Sequence, residues 1–369
     1  MLNVLHVVGD SVGGIRKHVH DVIFGLNNEF NFFYICSTKI DETFKKDFSE
    51  ISRFTVDFMQ LNIVKKPALS DIYNIIRILY FVKKNKINII HGHGAKGGLY
   101  ARIVGMFTNV KVCYTPHGGI VHSMFNRYEE FLYSKVEKFL IPRTTQFIFE
   151  SLYTKNNFYI KFKVKKDLNF IVNYNGVDFD EVRNSDVVHK MDDHLIIGFF
   201  GMLREEKGVF LSIDVIEKIA KSLNVKYYIY GDGPLKDAAE KLIQDRNLSD
   251  IIFLKGYVTD VLDAMQNVDI VFLPSLFESF GYVAVEAMYL KKPLVCSDAG
   301  GLPEVVGPSY PFLFSSGSVS DACEKINKIN ASMKLTAFKE ELSSYAEKSK
   351  VKFSKSNMLT KLADCYNNI

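Results

Sequence analysis

Along this chain, short apolar runs rich in β-branched and aromatic residues alternate with longer, helically spaced stretches, and the alternation runs through twice. NVLHVV (3–8), FFYIC (32–36), INIIHG (87–92), VKVCYT (110–115) and QFIFE (146–150) read as buried strands. The rhythm restarts with LIIGFFG (195–201), VKYYIYG (225–231), IIFLKG (251–256), DIVFLP (269–274) and PLVCS (293–297). Between them lie stretches such as LSDIYNIIRILYFVKKN (69–85), whose apolar spacing fits an amphipathic helix. Parallel strands need crossover connections, so this alternation dictates parallel sheets covered on both faces. With 369 residues and a hydrophobic fraction of 47%, the chain exceeds the usual size of one core and can fill two. The break falls in the polar, turn-rich stretch NYNGVDFDEVRNSDVVHKMDDH, and the boundary is placed at 174–193. The prediction is α/β: two Rossmann-like, doubly wound domains, 1–178 and 179–353, with the helically spaced segment 354–369 packing back on the first. Ligands of such sheets bind outside the carboxyl ends of the strands, so a cleft lined by loops of both halves is expected.

Charge divides unevenly between these halves. Residues 1–178 carry 24 Lys and Arg against 15 Asp and Glu, a balance of +9; the remainder carries 22 against 27, a balance of −5. In the first half the basic runs FKKDF, VKKPAL, FVKKNK and KNNFYIKFKVKK are interleaved with aromatic residues. Each alone reads as ordinary solvated lysines. Together they suit an anionic membrane surface, where rings sit at headgroup level. No nucleic-acid motif accompanies the charge, so a nucleic-acid partner is not expected. No apolar stretch is long enough for a spanning helix, and the opening MLNVLHVVGD lacks the pattern of a secretory signal. The five cysteines are scattered, without disulfide or zinc spacing, which suggests reduced thiols and a cytoplasmic setting.

Several loops carry candidate chemistry. After the first strand, Gly13 and Gly14 precede a helical pattern, so this loop either approaches a phosphate or is a plain tight turn. It lacks the G-x-G-x-x-G of a dinucleotide site. HGHGAKGGLYAR (91–102) and YTPHGG (114–119) each follow a predicted strand. His91, His93 and His117 have no neighbouring carboxylate or cysteine in sequence to complete a metal set, so no metal site is expected. His117, between Pro116 and a glycine pair, is the one placed to reach a cleft, while His91 also reads as a satisfied core histidine. In FFGMLREEKGVFL, Arg204 and Lys207 sit between strand and helix, suited to a diphosphate or to a solvated turn with Glu205 and Glu206. YGDGPLKD (230–237) reads as a strand-to-helix turn with Pro234 at the first helical position. Backbone at Tyr257 and Val258 is suited to meet a flat base. The D-x-D at 178–180 lies in the interdomain link and is discounted as a metal motif. FESFGYVAVEAMYLKKPLVCSDAGGLPEVV (277–306) places Glu278 just before a turn at Gly281 and Glu286 in the second turn of the helix that follows. Such a helix start offers free N–H groups to anions, with carboxylates beside it for hydroxyls.

ESFGYVAVE followed by KKPLVCSDAGGLPEVV resembles the E-x7-E signature of retaining glycosyltransferases of the GT-B fold, family 4. GMLREEKG, GDGP, NGVD and the Gly-Gly first loop fall in that family's order, so the resemblance spans essentially the whole chain. It implies that Glu286 binds the ribose of a nucleotide donor and Glu278 the hydroxyls of the transferred sugar. The N–H groups of Gly281, Tyr282 and Val283 would face the pyrophosphate, with Gly201, Gly231, Tyr257 and Val258 lining the nucleotide. Arg204 and Lys207 would stabilise the leaving diphosphate, Gly14 would lie against the donor phosphates, and His117 would contact the donor sugar near the reaction centre. The family often has arginine directly after the first glycine of G-R-L-x-x-E-K-G; here that position is Met202, which leaves Lys207 the better-founded cation.

The resemblance further implies retention of configuration by front-face attack, with neither a protein nucleophile nor an essential metal; the UDP-linked donor is a substrate rather than a cofactor. TPHG with HGHGAKGGLYAR is most similar to bacterial enzymes that build O-antigen, capsule or exopolysaccharide units on undecaprenyl diphosphate. The expected function is transfer of a hexose or N-acetylhexosamine from a UDP-sugar to a lipid-linked oligosaccharide, by a peripheral protein at the cytoplasmic face of the cell membrane. The alternatives are the same donor chemistry on a small soluble acceptor, or a non-catalytic nucleotide-sugar-binding subunit. An NAD-dependent dehydrogenase is disfavoured by the missing fingerprint.

Overall fold

The computed structural model describes residues 1–9, 13–38, 48–64, 66–118, 127–164, 168–179, 194–333 and 335–369, without the side chains of 127–129. The basic residues at 45–46 and 165–166, Asp180 of the D-x-D, and the stretch 180–193 of the expected boundary lie outside the described residues. Contacts divide the chain into two compact units, Met1–Gly176 with Lys355–Ile369, and Val177–Ser354.

The first unit is built on seven parallel strands: β1 (Leu2–Val8), β2 (Phe30–Ser37), β3 (Asp57–Leu61), β4 (Ile89–His93), β5 (Lys111–Thr115), β6 (Gln146–Phe149) and β7 (Phe170–Val172). Their order is β3-β2-β1-β4-β5-β6-β7, so connections reverse direction between β1 and β4. Side chains alternate across the sheet. Val4 and Val8 pack on one face with Phe32, Tyr34 and Ile89, beneath the helix Gly13–Leu26 and the last helix, Lys355–Asn367, which contributes Met358, Leu362 and Tyr366. Leu5, Val7, Ile35 and Ile90 pack on the other, against the helices Ser70–Lys84 and Gly94–Met106 through Ile78, Val82, Tyr100 and Ala101. In HGHGAKGG the same alternation sends His91 and His93 to the first face and Gly92 to the second. A Cβ on Gly97 would come within 2.1 Å of the Val7 carbonyl oxygen, so the bare glycine lets the helix Gly94–Met106 rest directly on the sheet. That helix is anchored by Arg102, whose guanidinium chelates Glu137 (2.5 and 2.8 Å) and reaches back to the Gly98 carbonyl (2.9 Å).

The second unit repeats the plan with six parallel strands: β8 (Leu195–Phe200), β9 (Val225–Tyr230), β10 (Ile252–Gly256), β11 (Ile270–Leu273), β12 (Leu294–Ser297) and β13 (Leu313–Phe314). Their order is β10-β9-β8-β11-β12-β13, with the reversal between β8 and β11. Two sequence expectations are corrected. The HGH of 91–93 lies within β4 rather than after it, because pairing with β1 and β5 runs on to His93. The helix after YGDGP begins at Lys236 with Leu235 at its cap, so Pro234 precedes the helix instead of opening it.

Candidate active site

In the second unit all strands are parallel, so the segments after β8, β9, β10, β11 and β12 emerge at one edge. These segments hold Gly201–Lys207, Gly231, Tyr257 with Val258, Ser275–Gly281 and Ala299–Gly301. The reversal between β8 and β11 opens a crevice there, and the two loops flanking it carry Lys207 and Glu278. Lys207 closes a short 3-10 turn, Glu205–Lys207, ahead of the helix Val209–Ile219. Gly208 joins them at φ +70°, and a Cβ there would lie 1.9 Å from the Pro274 carbonyl oxygen, so only glycine lets the turn abut the β11 loop. The amides of Leu276 and Phe277 donate to the Glu206 carbonyl (2.8 and 3.1 Å), clamping the two loops together. Lys207 Nζ then meets Glu278 Oε2 at 2.6 Å.

Gly281 caps the next helix, Tyr282–Tyr289, so the N–H groups of Tyr282 and Val283 belong to its first turn, where the helix itself supplies no acceptor. Glu286 lies inside this helix and is buried. The glycine pair at 300–301 acts from behind. Gly300 sits at φ +61° with no room for a Cβ, and the Gly301 amide donates to the Glu278 carbonyl (2.9 Å), fixing the backbone that presents Glu278. Arg204 stands apart from this pair: its guanidinium lies 3.7 Å from Glu206, the partner that the solvated-turn reading expected. Tyr257 is half exposed. Lys207, Glu278, Gly281 and the helix start at Tyr282 and Val283 are thus brought together, with Glu286 one turn further along that helix and Gly201, Gly231, Tyr257 and Val258 on neighbouring loops.

In the first unit the crevice between β1 and β4 is lined by histidines. His6 and His91 are cross-strand partners, and Val8 pairs with His93, so three rings stack on one face. His6 Nδ1 meets His93 Nε2 at 2.8 Å, His93 Nδ1 meets His117 Nε2 at 3.0 Å, and His117 Nδ1 meets Glu150 Oε2 at 3.0 Å. Asn175 of the NGVD motif donates to the same Glu150 oxygen (3.1 Å). An ionised carboxylate only accepts, so His117 carries its proton on Nδ1, and His93 and His6 donate through Nδ1 in turn. Burial, reinforced by His18, takes His6 to a pKa of about 3. Burial and the neighbouring rings likewise hold His91 and His93 well below the ordinary histidine value. Burial alone would raise the Glu150 carboxyl, but facing His117 and Asn175 it stays below the ordinary glutamate value.

The expectation that no carboxylate stands beside these histidines is therefore corrected: Glu150 does, brought by β6. Both His117 nitrogens are engaged, and its backbone takes φ +48°. Gly14 lies in the first turn of the helix Gly13–Leu26. His91 is the satisfied core histidine, bonded to Tyr366 OH (2.6 Å) and Thr115 Oγ1 (2.8 Å). Sequence reading passed over His6, His18 and Glu150, and took Asn175 only as part of NGVD, without a role. The signal for His6 was its place in the period-two pattern of its strand; His18 and Glu150 carried none.

The pattern described as "Glycosyltransferase Family 4" matches residues 12–181, and "Glycosyl transferases group 1" matches 181–349, so the two together run along nearly the whole chain. The chain belongs to the group 1 glycosyltransferases. This glycosyltransferase is 26% identical to an uncharacterized 41.2 kDa protein in the cps region of Klebsiella pneumoniae, over 99% of each chain. It is 27% identical to the poly(ribitol-phosphate) alpha-N-acetylglucosaminyltransferase of Staphylococcus aureus, over 56% of this chain and 42% of that one. Among solved structures, HepE of Anabaena in complex with UDP superposes with a TM-score of 0.81 at 20% identity, covering 100% of each chain, which establishes the GT-B fold.

Proposed function

We propose that this glycosyltransferase moves a hexose or N-acetylhexosamine from a UDP-sugar, with retention of configuration, to an undecaprenyl-diphosphate-linked glycan of a bacterial surface polysaccharide. The observation that carries the donor half is the Lys207–Glu278 contact beside the start of the helix Tyr282–Tyr289. Lys207 keeps two further N–H donors for a phosphate oxygen while Glu278 orients it, and the first-turn amides add a fixed positive end. Glu278 then takes sugar hydroxyls and Glu286 the ribose. Charge grows on the diphosphate as the anomeric carbon–oxygen bond breaks, and Lys207 with Arg204 offsets it without a metal. The acceptor oxygen bonds to the same face of the anomeric carbon, and its proton passes to the departing phosphate oxygen. Glu286→Ala is expected to weaken UDP binding about 10- to 100-fold, the worth of hydrogen bonds to a charged group, as measured by calorimetry. Unchanged binding in a folded variant would remove Glu286 from the site. Release of UDP from a panel of UDP-sugars tests the donor itself; silence with every donor would favour a non-catalytic binding subunit.

The acceptor half rests on one helix. In Ser70–Lys84 and the residue before it, Leu69, Ile72, Tyr73, Ile76 and Tyr80 are 59–87% exposed. At about 100° per residue these five fall within an arc of roughly 100°, bordered along one edge by Arg77 and by Lys84, which also pairs with Asp57 at 3.4 Å. The opposite face buries Ile78, Phe81 and Val82. A solvent-facing apolar stripe with cations along it matches an anionic bilayer surface, whereas a small soluble acceptor gives no reason for it. None of the described helices is long and apolar enough to cross a membrane. Ile72→Glu with Ile76→Glu is expected to lower binding to anionic vesicles at least tenfold in flotation, with UDP-sugar turnover on a soluble acceptor analogue unchanged. Equal flotation would favour the soluble acceptor.

A further inference from the structure

The histidine crevice of the first unit contains one ring that its hydrogen-bond chain does not use. His18, on the helix Gly13–Leu26, is 2% exposed, and its ring nitrogens make no hydrogen bond of good geometry among the described residues, the Asn175 side chain and the Glu150 charge being its polar neighbours. It faces His117 with ring centres 5.4 Å apart and His93 at 5.8 Å. One nitrogen from each of His18, His93 and His117 lies within 4.8 Å of the other two. We propose that His18, His93 and His117 bind a single zinc-class divalent cation, with Glu150 supporting the His117 ring from behind.

Three features favour this set. Zinc holds imidazole nitrogens at about 2.0–2.1 Å, which in a tetrahedron sets them about 3.3 Å apart. The His93–His117 nitrogens, at 3.0 Å, need to open by only a few tenths of an ångström; His93 then ligates through Nδ1 with its proton moved to Nε2, donating to His6 Nδ1, and His6 takes its own proton on Nε2, so every ring stays neutral. His117 is already oriented as metal-bound histidines are, donating its far N–H to a carboxylate, here Glu150 at 3.0 Å. His18 is buried with no hydrogen bond of good geometry, so coordination would satisfy a ring nitrogen that its Asn175 neighbour serves poorly. A second grouping, His6, His91 and His93, is less suitable: ligation by His91 would break its bond to Tyr366 or to Thr115. Nitrogen-only donors select zinc, copper or nickel over magnesium or calcium, which prefer oxygen. Three ligands leave a fourth position for water.

The test uses the full chain, stripped with a chelator and titrated with cobalt(II), a coloured probe for a four-coordinate zinc site. Expected are one cobalt ion per chain, the intense visible absorption of four-coordinate cobalt, and displacement by zinc. His18→Gln should weaken uptake at least 100-fold and Glu150→Gln about 10- to 100-fold, while His194→Gln, in the second unit, should leave it unchanged. Uptake below one ion per chain, or uptake that survives His18→Gln, would overturn the site. Should His18→Gln fail to fold, X-ray absorption of the zinc-loaded wild-type protein decides. A first shell containing three imidazoles and no sulfur supports the assignment; sulfur or a carboxylate-only shell overturns it.

Discussion

Lys207→Ala is expected to lower kcat by about 10²- to 10³-fold, some 2.7–4 kcal/mol of transition-state stabilisation, while UDP-sugar affinity changes far less. The asymmetry follows from when the charge appears. On the proposed donor site the ground-state diphosphate would already share its charge with the helix start at Tyr282, and Lys207 is occupied by Glu278 at 2.6 Å. Only as the glycosidic bond lengthens does new negative charge collect on the leaving phosphate, within reach of the remaining Lys207 donors. The Lys207 and Glu278 side chains are 27% and 13% exposed, so water reaches the pair and can replace the ammonium at Glu278 once the lysine is removed. The melting temperature of Lys207→Ala should therefore stay near that of the wild type, separating catalytic loss from misfolding. Glu278→Gln should cost activity too, and the double variant should lose less than the sum, because the carboxylate acts partly by aiming the ammonium. Steady-state kinetics with the UDP-sugar varied would check all three variants. A kcat within about threefold of wild type in Lys207→Ala would dismiss the electrostatic role.

The fold was legible where a strand carries an apolar run of its own, including the edge strand β10 with IIFL, and illegible where it does not or is very short. All ten strands read from the sequence lie in the two sheets. The three passed over, β3 (DFMQL), β7 (FIV) and β13 (LF), are edge strands of their sheets or only two residues long. An edge strand has a neighbour on one side only, so its sequence need not show the unbroken apolar run of a central one. Site residues divide in a similar way. Glu278, Gly281 and Glu286 lie on one continuous segment, and local spacing placed them at a helix start. Lys207 and Glu278 are 71 positions apart, and their contact depends on Gly208 abutting Pro274, which no local pattern encodes. The histidine chain is the extreme case. It draws His6, His93, His117 and Glu150 from four strands or their ends, and only the register of a seven-stranded sheet brings them together.

Glu137→Gln is expected to destabilise the first unit by about 3–5 kcal/mol, a large share of the 5–15 kcal/mol that typically holds a domain folded. Arg102 is 1% exposed, and its guanidinium lies 4.0 Å from the centre of the Tyr114 ring, so water does not solvate it. Glutamine keeps the shape of the partner and one acceptor oxygen, but it removes the full negative charge that both ends of this buried cation bond. Arginine cannot shed its proton to escape, so the uncompensated charge persists. The loss should appear as a lower urea midpoint for the first unit, read by histidine ring resonances, with the second unit's transition unmoved. Replacing both partners by apolar residues, Arg102→Met with Glu137→Leu, should recover much of the stability, because the cost arises from the orphaned charge rather than from the missing attraction. The pair matters for the site because Arg102 bonds the Gly98 carbonyl within the helix that follows His93 directly. If Glu137→Gln proved to cost less than about 1 kcal/mol, the guanidinium would have to find water or another acceptor, and its role as the anchor of that helix would fall.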